Sequence, residues 1–383
     1  MAKNGYAVLD SDLHVYEPED LYVRYLDERY ASRTPRVEQR PNVGGTVARA
    51  WVVDEFVFPR PIGRGRQNAD GSARQRMAPY AARNFDNVSQ LEAMDVEGID
   101  RAVHFRTLPV NCADGYDPEF AIALCRAWND WITDFRQADP TRMDAACLLS
   151  LHDPELAAME LRRCVEQLGM IAAQMLPNPV NGRHLNDPSC DVLWAEAQRL
   201  NVPICFHPAP NNYSETHFVN RYLTMPSTTL AGSLNNPVEL MAAIGAMTAG
   251  GVLERFPDLR VAFLEGNCSW LPWLLWRLDE FWEMCSAGED VKLSAKPSEY
   301  FLRQCFISVE PEERYVDWVI DQLGDDTLVF STDYPHSDSR FPEATNDLLN
   351  LPIPESSKRK ILWDNCARLY GVTERPAVGA AKS

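Results

Sequence analysis

The sequence predicts a (β/α)₈ barrel of the TIM type, on three observations. Eight short apolar segments recur along the chain, and most lack the polar alternation of a half-exposed strand. A stretch of helical periodicity follows each of them. None is followed by Gly-x-Gly-x-x-Gly, so an open doubly wound sheet lacks its usual signature.

In chain order, residues 6–9 read as the first strand and 18–29 as a short helix with its loop. A helix over 87–97 leads into a strand over 101–105, and a helix over 118–135 into a strand over 145–149. Asp153 is the N-cap candidate for a helix over 154–168, followed by a strand over 171–175. A helix over 191–200 and a strand over 202–206 come next. Beyond a loop, 237–256 is helical in pattern, interrupted at Gly250-Gly251, and 260–264 is a strand. A Trp-rich helix spans 269–284, a strand 304–309, a helix 312–323 and the last strand 328–331. Helices then continue to Tyr370.

Residues 33–83 interrupt this rhythm with Pro35, Pro41, Pro59 and Pro61. The insertion carries ten arginines against four acids, so the rest of the chain is more acidic than the net −18 of the whole. Val52-Val53 and Phe56-Val57-Phe58 suggest a small hairpin inside it. Two readings stand: a solvated loop packed over the barrel mouth, or a cationic lid that receives an anionic substrate. Residues 1–373 are expected to form one metal-dependent domain with this lid at 33–83, and 374–383 a flexible tail.

Net charge −18 argues against nucleic acid as a partner, because phosphate would be repelled. The N-terminal residues carry no apolar signal core, and no run of about 18 apolar residues implies a membrane span. Ten cysteines stand singly, none as Cys-x-x-Cys, which reads as buried free thiols in a reducing cytoplasm.

Candidate chemistry lies where strands end. Asp12 and His14 follow the first strand at a spacing that points both side chains one way, with Glu17 just beyond. Strand five runs into His207-Pro208, strand six into Glu265, and strand eight into Asp333 and His336. Imidazoles and carboxylates from four strand ends of one barrel would meet at its mouth, a donor set suited to divalent metal. His104 and Arg106, at the end of strand two, are candidates for lining the pocket and contacting an anion, with a packed histidine the equal reading for His104. His152, His184 and His217 read as loop residues, and Trp270, Trp273, Trp276 and Trp282 as packing or interface.

These positions carry a family resemblance. Asp12-x-His14-x-x-Glu17-Pro18, His207-Pro208, Leu253-Glu254-Arg255-Phe256-Pro257-Asp258-Leu259 and Thr332-Asp333-Tyr334-Pro335 together resemble the amidohydrolase superfamily. The branch is that of aminocarboxymuconate-semialdehyde decarboxylase, and the likeness runs from about Val8 to Tyr370, the insertion excepted. It implies that His14, His207 and Asp333 are metal ligands, with Asp12 at the first histidine of the usual His-x-His. Two departures stand out: that Asp, and Glu265 where the decarboxylases place an acid/base histidine. Both move the site toward oxygen donors, which suit iron or manganese better than zinc. Leu176 and its neighbours at the end of strand four include no lysine, so no carbamylated bridge is expected there.

The carboxylate-rich pattern also resembles TIM-barrel nonheme diiron monooxygenases. On that resemblance the expected function is hydroxylation of a bulky acyl substrate, CoA-linked ones included, with two Fe ions and an external electron donor. Asp12, His14, Glu17, His207, Glu265, Asp333 and His336 would hold the irons. Glu265, His336 and His104 would take part in the reaction, and Arg106, Arg64 and Arg66 would hold the substrate. The alternative is a mononuclear hydrolase or nonoxidative decarboxylase using one Zn or Mn, in which Glu265 moves the proton. A barrel that only binds a ligand is a third reading. A homodimer is the base-rate expectation.

Overall fold

The computed structural model describes residues 3–41, 47–59, 72–108, 110–209, 217–218, 228–336 and 339–375. Among the described residues the strands are β1 (Leu9–His14), β2 (Arg36–Pro41), β3 (Val47–Val53), β4 (Phe56–Pro59), β5 (Arg101–Phe105), β6 (Met143–Leu148), β7 (Ala172–Met175), β8 (Ile204–Phe206), β9 (Val261–Phe263), β10 (Cys305–Val309) and β11 (Leu328–Phe330). Eight form one parallel sheet in the order β1-β5-β6-β7-β8-β9-β10-β11. Sequential order with parallel pairing and intervening helices is the TIM-barrel arrangement. The ring closes where the segment after β11 meets β1: Asp333 N donates to the Asp12 carbonyl (3.2 Å) and His14 N to the Tyr334 carbonyl (2.7 Å). Asp10, fully buried, reinforces the seam by accepting from Thr332 N (3.2 Å) and Thr332 Oγ1 (2.5 Å).

Outer helices begin where the sequence supplies caps. Asp86, Asp117 and Asp153 accept from Ser89 N, Phe120 N and Glu155 N, and Pro118 and Pro154 occupy the first helical turn. Each helix buries one face against the strands, as Leu124, Trp128 and Trp131 do in the helix Pro118–Phe135. Three sequence expectations shift. The first strand lies later, through the Asp-x-His motif, because the chain stays extended to His14 beside β5. The helix expected from 237 starts earlier, spanning Thr228–Met247 with Pro237 inside it. The helix expected from 312 starts at Val316.

The insertion forms an antiparallel sheet in the order β2-β3-β4 and a helix over Ser72–Ala81. Asp54 in the left-handed region (φ 51°) makes the tight turn from β3 to β4. Trp51 is buried and packs edge-on against Tyr22, while Phe56 meets Tyr116, and Tyr80 meets Tyr334 and Phe341. Those partners follow β1, β5 and β11, so the insertion sits at the C-terminal end of the barrel. Five of its ten arginines form ion pairs: Arg33 with Asp54 and Asp117, Arg36 and Arg40 with Glu38, Arg49 with Glu19, and Arg83 with Asp86 and Glu92. A guanidinium already neutralised by a carboxylate offers little to an incoming phosphate, which corrects the cationic-lid reading for these residues. Arg64 and Arg66 lie outside the described residues, as does the tail from 376.

Among the described residues all ten cysteines are free, and only Cys285 is exposed. No helix among them is long and apolar enough to cross a membrane.

Candidate metal centre

β1 does not pair evenly with β5. Leu9 and Asp10 face Arg101 and Ala102, but Leu13 and His14 face His104 and Phe105, so β1 holds one extra residue between them. Such a bulge re-aims side chains at a barrel rim. Here Asp12 and His14 come together, with Asp12 Oδ1 3.5 Å from His14 Nε2.

Across the barrel, His207 from the end of β8 brings its Nε2 to 3.0 Å from His14 Nε2 and 3.4 Å from Asp12 Oδ2. The His207 Nδ1–H donates to the Pro208 carbonyl (2.9 Å), leaving the Nε2 lone pair facing inward. Asp333 Oδ1 lies 3.2 Å from His14 Nε2 and 2.7 Å from His336 Nδ1. Glu265 Oε2 reaches His207 Nε2 at 3.1 Å.

Glu265 and Asp333 both adopt the left-handed backbone region, at φ 56° and 55°. For non-glycine residues this costs about 1 kcal/mol or more, so the surroundings must hold it. Glu265 N donates to Ser308 Oγ (3.0 Å), and Asn236 Nδ2 donates to the Glu265 carbonyl (2.9 Å). Asp333 N is held by the Asp12 carbonyl (3.2 Å).

Two overlapping groups emerge, Asp12–His14–His207 and His14–Glu265–Asp333–His336, in each of which the ligand atoms lie within 4.8 Å of one another. The donor set fits a divalent cation. Asp12 is wholly buried with no hydrogen-bond donor on either oxygen among the described residues, so it asks for a positive charge. Burial, together with His336, His207 and Arg106, holds His14 well below the usual imidazole pKa and keeps its lone pair available. Burial alone would depress His207 too, but the Asp12 and Glu265 carboxylates raise it. Burial and the Asp333 carboxylate push Glu265 well above the usual carboxylate range, against the lowering effect of His207 and His336.

Depth separates the six groups. Side-chain exposure is 0% for Asp12 and His14, 3% for His207 and 6% for Asp333, against 14% for His336 and 19% for Glu265. The first four form the floor and the last two the rim.

Glu17 and His104 are corrections. Glu17 is buried, but its Oε1 accepts from Thr107 N (3.0 Å), Leu108 N (3.3 Å) and Trp128 Nε1 (3.1 Å), so it pins the backbone after β5 and joins neither metal group. His104 pairs with Leu13 on the face opposite His14 and Phe105. Its Nδ1–H donates to the Asp144 carbonyl (2.8 Å), and its ring packs on Phe135 in the helical layer. Arg106, by contrast, is buried near the centre, and its charge acts on His14 and His207. Its Nε has no hydrogen-bond partner, and among the described residues no carboxylate pairs with it. Sequence reasoning passed over Thr107, Ser308 and Asn236. Thr107 had one signal, its place one residue beyond Arg106 at a strand end.

An amidohydrolase family model matches residues 82–372. The chain belongs to the amidohydrolase family. The match begins at the end of the insertion, so Asp12 and His14 of this amidohydrolase lie upstream of it. Gamma-resorcylate decarboxylase of Polaromonas sp. is 26% identical over 294 residues, covering 73% of this amidohydrolase and 86% of that protein. The 2-amino-3-carboxymuconate-6-semialdehyde decarboxylase of Dictyostelium discoideum is 26% identical over 292 residues, covering 75% and 77%. An amidohydrolase structure from Mycobacterium avium subsp. paratuberculosis superposes with a TM-score of 0.76 at 23% identity, covering 97% and 99% of the two chains. A dihydroxybenzoic acid decarboxylase from Polaromonas sp., solved with bound manganese, gives 0.65 at 21% identity over 96% and 97%, a likeness of fold.

These findings overturn the diiron monooxygenase. The two curated relatives above are decarboxylases, not oxygenases, and the metal in that structural neighbour is manganese. Geometry gives the reason. The two candidate groups share His14, and Glu17, expected among the iron ligands, joins neither of them. Two Fe ions and the electron donor they required are therefore withdrawn.

Proposed function

We propose that this amidohydrolase is a metal-dependent, nonoxidative carboxy-lyase acting on a small carboxylic acid, with one divalent ion. The observation that carries this reading is Arg106, a buried guanidinium without a carboxylate partner beside a carboxylate–imidazole cluster. A buried charge is stable only if paired, and the carboxylate of a substrate supplies the missing partner. The relatives' names support the class and suggest aromatic or unsaturated acids.

Asp12, His14, His207 and Asp333, the floor of the site, would hold the ion, and manganese is the first candidate. When bound, the ion supplies Lewis-acid polarisation of a substrate oxygen. Arg106 orients the carboxylate. Glu265, on the rim, stands where the decarboxylases carry histidine, and a carboxylic acid can do the same proton transfer. As the bond to CO₂ breaks, its electron pair stays on the substrate carbon, and the Glu265 proton goes to that carbon. His336 holds Asp333 from the rim.

The test is CO₂ release under nitrogen by manganese-loaded protein supplied with 2,6-dihydroxybenzoate, 5-carboxyvanillate and related acids. Turnover without oxygen is expected, with one deuterium from D₂O at the vacated carbon. Arg106→Met should raise KM about tenfold or more through loss of a charge-assisted contact. Turnover that needs oxygen, or an unchanged KM in Arg106→Met, overturns the reading.

A further inference from the structure

We infer that the exposed face of the helix Leu271–Cys285 receives a second copy of this chain, helix against helix, antiparallel about a two-fold axis.

Among the described residues five aromatic side chains are exposed, and all lie on two neighbouring helices. Trp273, Trp276 and Phe281 belong to Leu271–Cys285, while Tyr315 and Trp318 stand at the start of Val316–Leu323, which packs against it. Each is about half exposed, and Met284 rather more. A lone soluble protein seldom leaves so much apolar surface in one place, and patches of this kind mark contact surfaces. At about 150–250 Å² for a whole aromatic side chain, the five together offer about 500 Å². A stable interface takes about 800 Å² from each partner, so they supply most of one.

Register points to a second copy as the occupant. Residues 273, 276, 277, 280, 281 and 284 recur at helical spacing and share one side of the helix, away from the buried Leu271, Leu274 and Leu275. Two such helices laid antiparallel, with the axis between Leu278 and Asp279, set Trp273 against Met284, Trp276 against Phe281 and Arg277 against Glu280. Each pairing recurs on the other side of the axis, as a two-fold interface requires. Apolar groups then meet apolar groups, and opposite charges meet. Within one chain Arg277 already bridges to Glu280 and lies over the Phe281 ring, which holds its guanidinium on this face. The acids beside it are occupied: Asp279 accepts from Ser298 N and Oγ, and Glu283 pairs with Lys296. Their neutralisation matters for chains of net charge −18, which otherwise repel one another. A lipid surface suits the face less well, because anionic headgroups would meet Glu280 and that same net charge.

Three measurements on full-length protein decide it. Sedimentation at about 10 µM should give a dimer, since interfaces of this size hold at micromolar concentrations or below. Trp276→Glu should give a monomer with the circular dichroism of wild type, the altered side chain being half exposed. Charge exchange tests the register. Arg277→Glu sets acid against acid across the axis and Glu280→Arg sets base against base, so each alone should dimerise about tenfold more weakly or worse. Mixed in equal amounts, the two should form a heterodimer of wild-type strength, which an ion pair confined to one chain cannot produce. Nitroxide labels on Cys285, the one exposed thiol among the described residues, should lie about 20–30 Å apart in the wild-type dimer. A wild-type monomer at about 100 µM overturns the inference, whether it stays free or sediments with phosphatidylcholine vesicles. So do a dimer that survives Trp276→Glu, charge variants that stay apart when mixed, and labels lying well beyond that range.

Discussion

Single residues in this barrel divide by which side of a strand they occupy. Adjacent positions of β5 send Phe105 toward the metal centre and His104 into the helical layer, where burial pushes its pKa down to about 4, against the raising effect of the Asp144 carbonyl and charge. This makes stability depend on pH. The unfolded chain protonates that imidazole near 6.5 and the folded chain only near 4, so between these values the unfolded state holds more protons. The contribution is fully present above pH 6.5 and fades as pH falls toward 4, the loss reaching about 2 kcal/mol by pH 5. His104→Asn keeps a donor for the Asp144 carbonyl without titrating. Urea unfolding at pH 7 and pH 5 should show a smaller loss on acidification in the variant than in wild type, and equal losses would refute the assignment.

Among elements, the insertion is the one whose role was hardest to read. Its charge suggested ligand binding, yet five of its arginines pair with neighbouring carboxylates, and its apolar residues attach it to the barrel. Trp51 is the main anchor, 1% exposed and edge-on to Tyr22 at 5.7 Å between centroids. Trp51→Ala should destabilise by about 3–5 kcal/mol, the range for truncating a buried aromatic. If the insertion opens as a unit, limited proteolysis should cut first within it while the barrel resists. Cleavage in the barrel helices at the same rate would show that the insertion and barrel unfold together.

For the whole molecule, the candidate centre draws its residues from the ends of β1, β8, β9 and β11, so a bound cation would join elements far apart in the chain. A ligand that binds only the folded state stabilises it by mass action, about 2.7 kcal/mol at one hundred times Kd. For a chain of this length that is a rise of about 3 °C in Tm. Scanning calorimetry with excess Mn²⁺ and with EDTA should show this difference, and Asp12→Asn should remove most of it. A Tm indifferent to metal in wild type would count against the centre.

By itself the sequence determined the barrel and pointed to most residues of the candidate cluster. Apolar strands, caps such as Asp153 and the polar residues at four strand ends are local signals, and local patterning survives folding. Asp12, His14, His207, Glu265, Asp333 and His336 could be named because each ends a recognisable strand. Tertiary structure alone decided which strand-end groups face inward. The bulge in β1, the opposite faces of His104 and Phe105, and the capture of Glu17 by Thr107, Leu108 and Trp128 depend on pairing between segments about 90 or more residues apart. It also decided that Arg106 is buried without a carboxylate partner among the described residues, while five insertion arginines are paired. Charge can be counted along a chain, but its neutralisation depends on distances that only the folded molecule possesses.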